Sequence, residues 1–221
     1  MRIVTKLFDA EIDINDDKVF ELIIENHRAL YNFLEDIFYQ TQGNEGDTIL
    51  SDDDDIIKMA KRVELITNYI PFDLNEKRLI SKIQNFLEKE ALNPDNFNKT
   101  MEVLANIEQY VYRLADTFPY ELDFTGINIS SLIKMCGLSI VDDSISNIEK
   151  IYNYMSIVRE LLGDRLFVFA NIRSYYSDDD MFKFVETVVD HKFKVLLVEN
   201  YERNILSGTR RLIIDNDLCI I

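Results

Sequence analysis

The chain predicts an α/β fold built on a mostly parallel sheet, with an α-helical hairpin inserted into it. Two wholly apolar runs carry the sheet prediction, LFVFA at 166–170 and VLLV at 195–198. Strands that are apolar at every position are covered on both faces, which is the habit of parallel sheets. Between the runs, Ser177 is a good N-cap and Asp178, Asp179 and Asp180 complement a helix dipole in its first turn. A helix over 181–190 is long enough for the crossover between parallel neighbours. The hairpin prediction comes from a long helical pattern over 75–118, broken once at Asn93-Pro94-Asp95.

Taken in order, 3–14 alternates in part and reads as a strand or hairpin, and VFELIIE at 19–25 as a buried strand. A helix over 27–39 sets Leu30, Phe33, Leu34, Ile37 and Phe38 on one face. Residues 48–50 suit a short strand before a turn at 51–55. The stretch 56–68 stays open: 63–67 suits a strand, while 58–65 would tolerate a helix. A helix over 75–92 aligns Leu79, Ile80, Ile83, Phe86 and Leu87, and Pro94 suits the first position of a second helix over 94–118. That second helix carries two apolar stripes. One is Phe97, Met101, Leu104, Val111 and Leu114 or Ala115; the other is Val103, Ile107 and Tyr110. A two-helix hairpin cannot bury both, so the main domain or another subunit must cover the second, and we expect a subunit contact.

Pro119 ends the hairpin, and YELDF at 120–124 reads as a strand re-entering the main domain. A helix over 129–136 is capped by Asn128 or Ser130, with Cys136 buried in it. A longer helix over 144–162 stops at Gly163, and 211–221 closes the chain as a last strand. The expected division is an α/β head of 1–74 and 119–221, and a helical domain of 75–118.

With 221 residues, 47% of them hydrophobic, the chain can build one sizeable core and a smaller appendage. Cys136 and Cys219 lie far apart with no CxxC spacing, which suits a reduced chain. Charges scattered from Arg2 to Asp13 do not read as a signal peptide, and no apolar stretch approaches the length needed to span a bilayer, so a cytoplasmic location is expected. The net charge of −16 argues against nucleic-acid binding by the surface as a whole. The acid is uneven, however: residues 1–75 hold 7 basic and 17 acidic side chains, whereas 76–118 hold 6 and 7. A local basic surface therefore remains open, and an acidic surface invites divalent cations where subunits meet.

Few motifs carry chemistry. The junction Glu25-Asn26-His27-Arg28, between a strand and a helix, lies where phosphate-binding loops sit. It has neither the glycines nor the Lys followed by Ser or Thr that such a loop needs, so an ordinary turn is the better reading. Asp52 to Asp55 reads as a solvated turn or helix start, since adjacent side chains point different ways. Asp142 and Asp143 read as a helix start. Glu121 and Asp123 alternate with apolar residues, so on a strand both carboxylates share one side. They can contribute to a Ca²⁺ site completed by other oxygens, or form an exposed strand face. His27 and His191 have no partner at metal or triad spacing. The basic residues form small groups: Lys58, Lys61 and Arg62; Lys77, Arg78 and Lys82; Lys134 and Lys150; Arg210 and Arg211. Symmetric copies around a shared opening would sum them into a positive channel.

IIENHRALYNFL (23–34), LFVFANIRSYYSDDD (166–180), KVLLVEN (194–200) and IIDNDLCII (213–221) resemble the spacer-acquisition proteins of type II-A CRISPR systems, in their short form. The match covers essentially the whole chain. Its most specific part, the C-terminal run, departs from the usual pattern at Ile220, where a Glu is common. The resemblance implies a head that is a degenerate phosphate-loop fold and a helical leg, matched by 75–118. It implies a ring-shaped homotetramer stabilised by Ca²⁺ that binds ends of double-stranded DNA through a basic inner opening. The partners it implies are the integrase and RNA-guided nuclease of the system, and it implies no catalysis. Glu121 and Asp123 fall in the hinge where calcium ligands would lie. Lys134 and Lys150 lead the candidates for the DNA surface, with Lys58, Lys61 and Arg62 behind them. Two other readings compete, an active nucleotide hydrolase and a structural adaptor.

Overall fold

A computed structural model describes residues 1–8, 10–52 and 55–221. In chain order the elements are β1 (Arg2–Thr5), β2 (Ala10–Asp13), β3 (Val19–Ile24), α1 (His27–Thr41), β4 (Thr48–Asp52), β5 (Asp55–Ile57), α2 (Met59–Arg62), β6 (Val63–Ile66), α3 (Lys77–Ala91), α4 (Phe97–Ala115), α5 (Ile129–Met135), α6 (Asn147–Leu162), β7 (Leu166–Ala170), α7 (Asp178–Asp190), β8 (Lys194–Glu199) and β9 (Thr209–Ile214). They fall into two compact units, Met1–Phe72 with Ser144–Ile221, and Asp73–Asp143.

The first unit is organised by a five-stranded sheet in the order β6-β7-β8-β3-β9. Every neighbouring pair in it is parallel. All residues of β3 and β7 are buried, and β8 is buried after Lys194. The two apolar runs are therefore strands covered on both faces. One face, with Leu22, Ile24, Leu166, Val168, Leu196 and Val198, joins a core with Ala29, Leu30, Phe33 and Ile37 of α1. The opposite face sets Phe169 edge-on to Phe184 of α7 and Phe167 edge-on to Phe193. Burying each such side chain contributes about 1.5–3 kcal/mol.

A second sheet, β2-β1-β4-β5, is antiparallel throughout and was not separated from the first by sequence reasoning. Its strands alternate, so Ile3, Ile12 and Leu50 turn into the α1 core while Val4 and Ile49 face outward. The 56–68 stretch resolves as one helical turn followed by a strand, α2 then β6. The 51–55 turn expected from sequence includes Asp53 and Asp54, which lie outside the described residues.

The caps form as expected. Ser177 Oγ accepts the Asp180 N–H at 3.2 Å, and Asn128 Oδ1 accepts the Ser131 N–H at 2.8 Å. Gly163 ends α6 at φ +79°, a conformation that suits glycine. That helix starts at Asn147 instead of 144, because Ser146 takes the cap position and receives the Glu149 N–H.

In the second unit, α5 packs beside α3. The unit extends beyond the 75–118 span read from sequence because this packing takes in the residues after α4. Pro94 lies in the turn before α4, whose first residue is Phe97. Only Leu104 of α4 is buried, while Phe97, Met101, Val103, Tyr110, Tyr112 and Leu114 are exposed.

Three expectations are corrected. No strand forms at 120–124, where Asp123 Oδ1 accepts the N–H of Phe124 at 2.9 Å, a local bond that competes with sheet pairing. The last strand stops at Ile214, because Asp215 Oδ1 accepts the N–H groups of Asp217 and Cys219 and turns the chain. Cys136 is exposed, since it caps the C-terminus of a seven-residue helix that buries no side chain.

Leu197 is fully buried in β8, so Leu197→Ala should cost about 2–5 kcal/mol in urea unfolding. Ile205→Ala, at a site 73% exposed, should stay within about 0.5 kcal/mol. Equal effects at the two positions would contradict the two-sided burial of the sheet.

Candidate functional site

The strand-to-helix junction after β3 is closed by its own side chain. Asn26 Oδ1 accepts the N–H of Arg28 at 3.1 Å and of Ala29 at 3.0 Å. Its Nδ2 donates to the carbonyl of Asn216 at 2.9 Å, and the Glu25 N–H donates to Ile214. The helix amides that a phosphate would take are thus already bonded. His27 and Arg28 are exposed beside them.

A buried ionic network lies along the sheet face that packs on α7. Glu21, in the middle of β3 and 1% exposed, accepts from Arg173 Nη1 at 2.6 Å and from Arg211 Nε at 2.8 Å. Register places Arg211 directly beside Glu21 across the β3–β9 pair. Arg173 sits in the short 3₁₀ turn after β7, and its side chain has no solvent exposure. Its Nη2 reaches Asp178 at 2.9 Å, in the first turn of α7, and the carbonyl of Asn204 at 2.9 Å. Arg211 also pairs with Glu202 at 3.1 Å. One guanidinium therefore ties β3, the turn after β7, α7 and the β8–β9 connection.

The network perturbs its members. The hydrogen bond from Arg173, then that from Asn204, holds the Asp178 carboxyl below its ordinary range. Burial, with the Glu21 charge adding to it, pushes Glu199 up to about 7 against the opposing pull of the Arg173 N–H. Burial likewise pushes the Tyr69 phenol up; its hydroxyl lies 3.1 Å from the carbonyls of both Ile66 and Ala170.

Sequence reasoning passed over Glu21, Arg173 and Glu199 and treated Arg211 only as part of a basic pair. The usable signal was a charge set inside each apolar run: Glu21 in VFELII, Glu199 closing KVLLVE and Arg211 in TRRLII.

The residues singled out from sequence are dispersed. Lys134 is exposed in the last turn of α5, in the Asp73–Asp143 unit. Lys150 is half-buried near the start of α6, in the other unit. Lys58 is exposed at the N-terminal boundary of α2, Lys61 is exposed on that helix, and Arg62 donates to the Asp164 carbonyl at 3.0 Å. Glu121 and Asp123 are exposed on the irregular segment after α4, so the shared strand side expected for them does not exist. That segment is held further on, where Glu108 Oε1 accepts the Ile127 N–H at 2.9 Å and Phe124 meets Tyr112 edge-on. Among the described residues, no three His, Cys, Asp or Glu side chains converge into a metal-holding group. No helix among them is long and apolar enough to cross a membrane.

These features define a parallel α/β protein with an inserted helical unit, whose strand-to-helix junction is capped by asparagine. The model of the family described as "CRISPR-associated protein (Cas_Csn2)" matches residues 40–218, and the chain belongs to that family. It is 25% identical over 200 residues to the CRISPR-associated protein Csn2 of Streptococcus agalactiae, covering 87% of this chain and 86% of the relative. It is 26% identical over 208 residues to the Csn2 of Enterococcus faecalis, covering 90% of each. In fold it is similar to the crystal structure of Stu0660 of Streptococcus thermophilus, with a TM-score of 0.56 and 13% identity over 90% of this chain and 68% of that one. The resemblance to the type II-A CRISPR family is thereby shown.

Arg173→Met should destabilise the protein by about 3–5 kcal/mol, because it leaves buried Glu21 with one cation fewer and Asp178 with none of its guanidinium contact. Urea unfolding measures this. Adding Glu21→Leu to that variant should recover part of the loss, and a double variant less stable than the single one would disprove the pairing argument.

Proposed function

We propose that the protein is a homotetrameric ring that binds ends of double-stranded DNA without regard to sequence, depends on Ca²⁺ and supports CRISPR spacer acquisition without catalysis. The observation that carries this reading is membership of the Csn2 family over residues 40–218. In this reading the unit of Met1–Phe72 with Ser144–Ile221 is a head derived from a phosphate-loop fold, and the Asp73–Asp143 unit, which contains the 75–118 hairpin, is the leg. The capped β3–α1 junction supports a head that has given up nucleotide chemistry, since Asn26 takes the amide donors. The exposed apolar side chains of α4 support a subunit contact. The integrase and RNA-guided nuclease of the same system are the proposed protein partners, and the cytoplasm the proposed location.

Calcium fits the chemistry of Glu121 and Asp123 in part. They are hard, exposed oxygen donors, but two carboxylates fall short of the six to eight oxygens that Ca²⁺ takes in general. A site there would draw further oxygens from another subunit, which suits a chain of net charge −16 whose copies repel one another. Removing Ca²⁺ with a chelator should shrink the oligomer or lower its melting temperature, measured by light scattering and thermal unfolding. A tetramer indifferent to chelator would overturn the calcium reading.

Lys134 and Lys150, with Lys58, Lys61 and Arg62 behind them, are the proposed phosphate contacts. Binding should weaken steeply with salt, since each phosphate neutralised contributes about −0.9 to the slope of log K against log salt. Changing Lys134 and Lys150 together to Glu should lower affinity for all sequences alike and flatten that slope. An unchanged slope would shift the assignment to Lys58, Lys61 and Arg62. Linear-DNA binding with and without Ca²⁺, set beside an assay of ATP turnover, separates this reading from a nucleotide hydrolase and from an adaptor that binds only protein.

A further inference from the structure

We propose that Glu199 is a proton-binding site inside the folded head, and that losing its proton pulls Arg203 inward and loosens the connection between β8 and β9. The inference is independent of the DNA and calcium reading.

The argument begins with unequal pairing. Glu21 receives two guanidinium groups and Asp178 one, both through Arg173 or Arg211. Among the described residues, Glu199, with no solvent exposure, receives only the backbone N–H of Arg173, at 3.2 Å on Oε1. Its Oε2 has no hydrogen-bond partner among the described residues. A fully buried ionised carboxylate with one oxygen unserved is costly, and the cheapest remedy is a proton.

The surroundings suit the neutral acid. Asn171 Oδ1 and Asn200 Oδ1 are also buried acceptors without a donor among the described residues. Asn171 donates its own N–H to Val198, and Asn200 follows Glu199 directly, so both lie at the same end of β7 and β8. A carboxylic O–H on Oε2 would make that oxygen a donor at an end of the sheet that has buried acceptors short of one. The charged and titratable groups facing Glu199 are Glu21 of β3, Arg173 after β7, Arg203 after β8, and the Tyr69 phenol after β6. Asp178 of α7 acts through Arg173. Repulsion from Glu21 favours the proton and the two arginines oppose it, while burial outweighs both and sets the titration at about 7.

The ionised state has a ready partner. Arg173 Nε and Arg203 Nε are buried donors with no acceptor among the described residues. Arg173 is already held through both terminal nitrogens. Arg203 is less constrained: its guanidinium stacks 4.2 Å from the centre of the exposed Tyr201 ring and donates to Ser174 Oγ at 3.2 Å. An ionised Glu199 therefore draws on Arg203, and the stacking on Tyr201 and the bond to Ser174 are given up. Residues 200–208, which carry Glu202, Arg203 and Asn204 into the network, then exchange the Arg203 bond to the turn after β7 for one to Glu199 at the end of β8, so Arg203 no longer fastens the connection to that turn.

The sign of the pH dependence follows. The folded carboxyl binds its proton more tightly than the unfolded one, so Glu199 favours folding at acidic pH. That contribution is lost as pH rises from the ordinary glutamate range of about 4.3 through the folded value.

The direct test follows side-chain carboxyl resonances of ¹³C-labelled glutamate in the wild-type full chain against pH. One resonance should titrate near neutrality and be lost in Glu199→Gln. If every glutamate titrates below about 5.5, the proposal fails. Hydrogen exchange over 200–208, compared between about pH 6 and about pH 8 after correction for intrinsic rates, should speed up in the wild type. Glu199→Gln, which stays neutral, should abolish that change. Should this variant not fold, Arg203→Gln serves instead: it removes the proposed ionised-state partner, and the pH-linked change should disappear while the near-neutral resonance persists. Persistence of the change in Arg203→Gln would overturn the coupling.

Discussion

The central strands of the parallel sheet are buried on both faces, and most of the first unit answers to that constraint. β3, β7 and β8 present apolar side chains alternately to α1 with the small antiparallel sheet, and to the side on which α7 packs. Neither layer can be removed without exposing a whole set of large side chains. The same constraint governs the charges. Removing an ion from water into such a layer costs several kcal/mol, so Glu21 is tolerable only because Arg173 and Arg211 meet it from either side. The guanidinium of Arg173 then has bonds left over, and it uses them to fasten α7 and the 200–208 connection.

How much of this was legible follows from what each signal reports. Apolar runs report burial on both faces, and β7, β8 and β3 lie where such runs lie. Caps report helix starts, and Ser177, Asn128 and Gly163 behave as their side chains require. Alternation over four or five residues is weaker, because it does not say whether a partner strand is present. The 120–124 segment alternates but has none, and its Asp123 bonds its own backbone. The C-terminal run failed for a related reason: IIDNDLCII reads as apolar enough for a strand, but Asp215 folds it back. The network was hidden because its pairs are remote in sequence. Glu21 and Arg173 are 152 residues apart, and Glu21 and Arg211 are 190 apart. A lone acid in a strand announces that a cation is needed but not which one.

The candidate residues for metal and DNA show the opposite limit. Glu121, Asp123, Lys134, Lys58 and Lys61 are exposed, and their local environment in one chain imposes little on them. A role for such residues arises only when copies meet or a polyanion arrives. Composition is informative here in a way that pairwise geometry is not. With 40 acidic against 24 basic side chains, association of identical subunits needs either apolar contact or bridging cations. In the proposed assembly the exposed side chains of α4 supply the first, and Glu121 with Asp123 the second.

In open parallel sheets, ligands commonly enter at the carboxyl ends of the strands. This protein fills that edge with its own groups. Asn26 takes the helix amides after β3, and Asn216 closes over it from the segment after β9. Arg173 is consumed by two carboxylates and a carbonyl in the turn after β7. What a nucleotide would otherwise organise, the chain organises by internal hydrogen bonds. In the proposed assembly a unit fastened in this way serves as a rigid part, and binding falls to surfaces that several copies compose together. Among the described residues, Glu199 Oε2 is a carboxylate oxygen at that edge left without a partner, so the proton proposed for it is a route by which solution conditions reach the interior of the sheet.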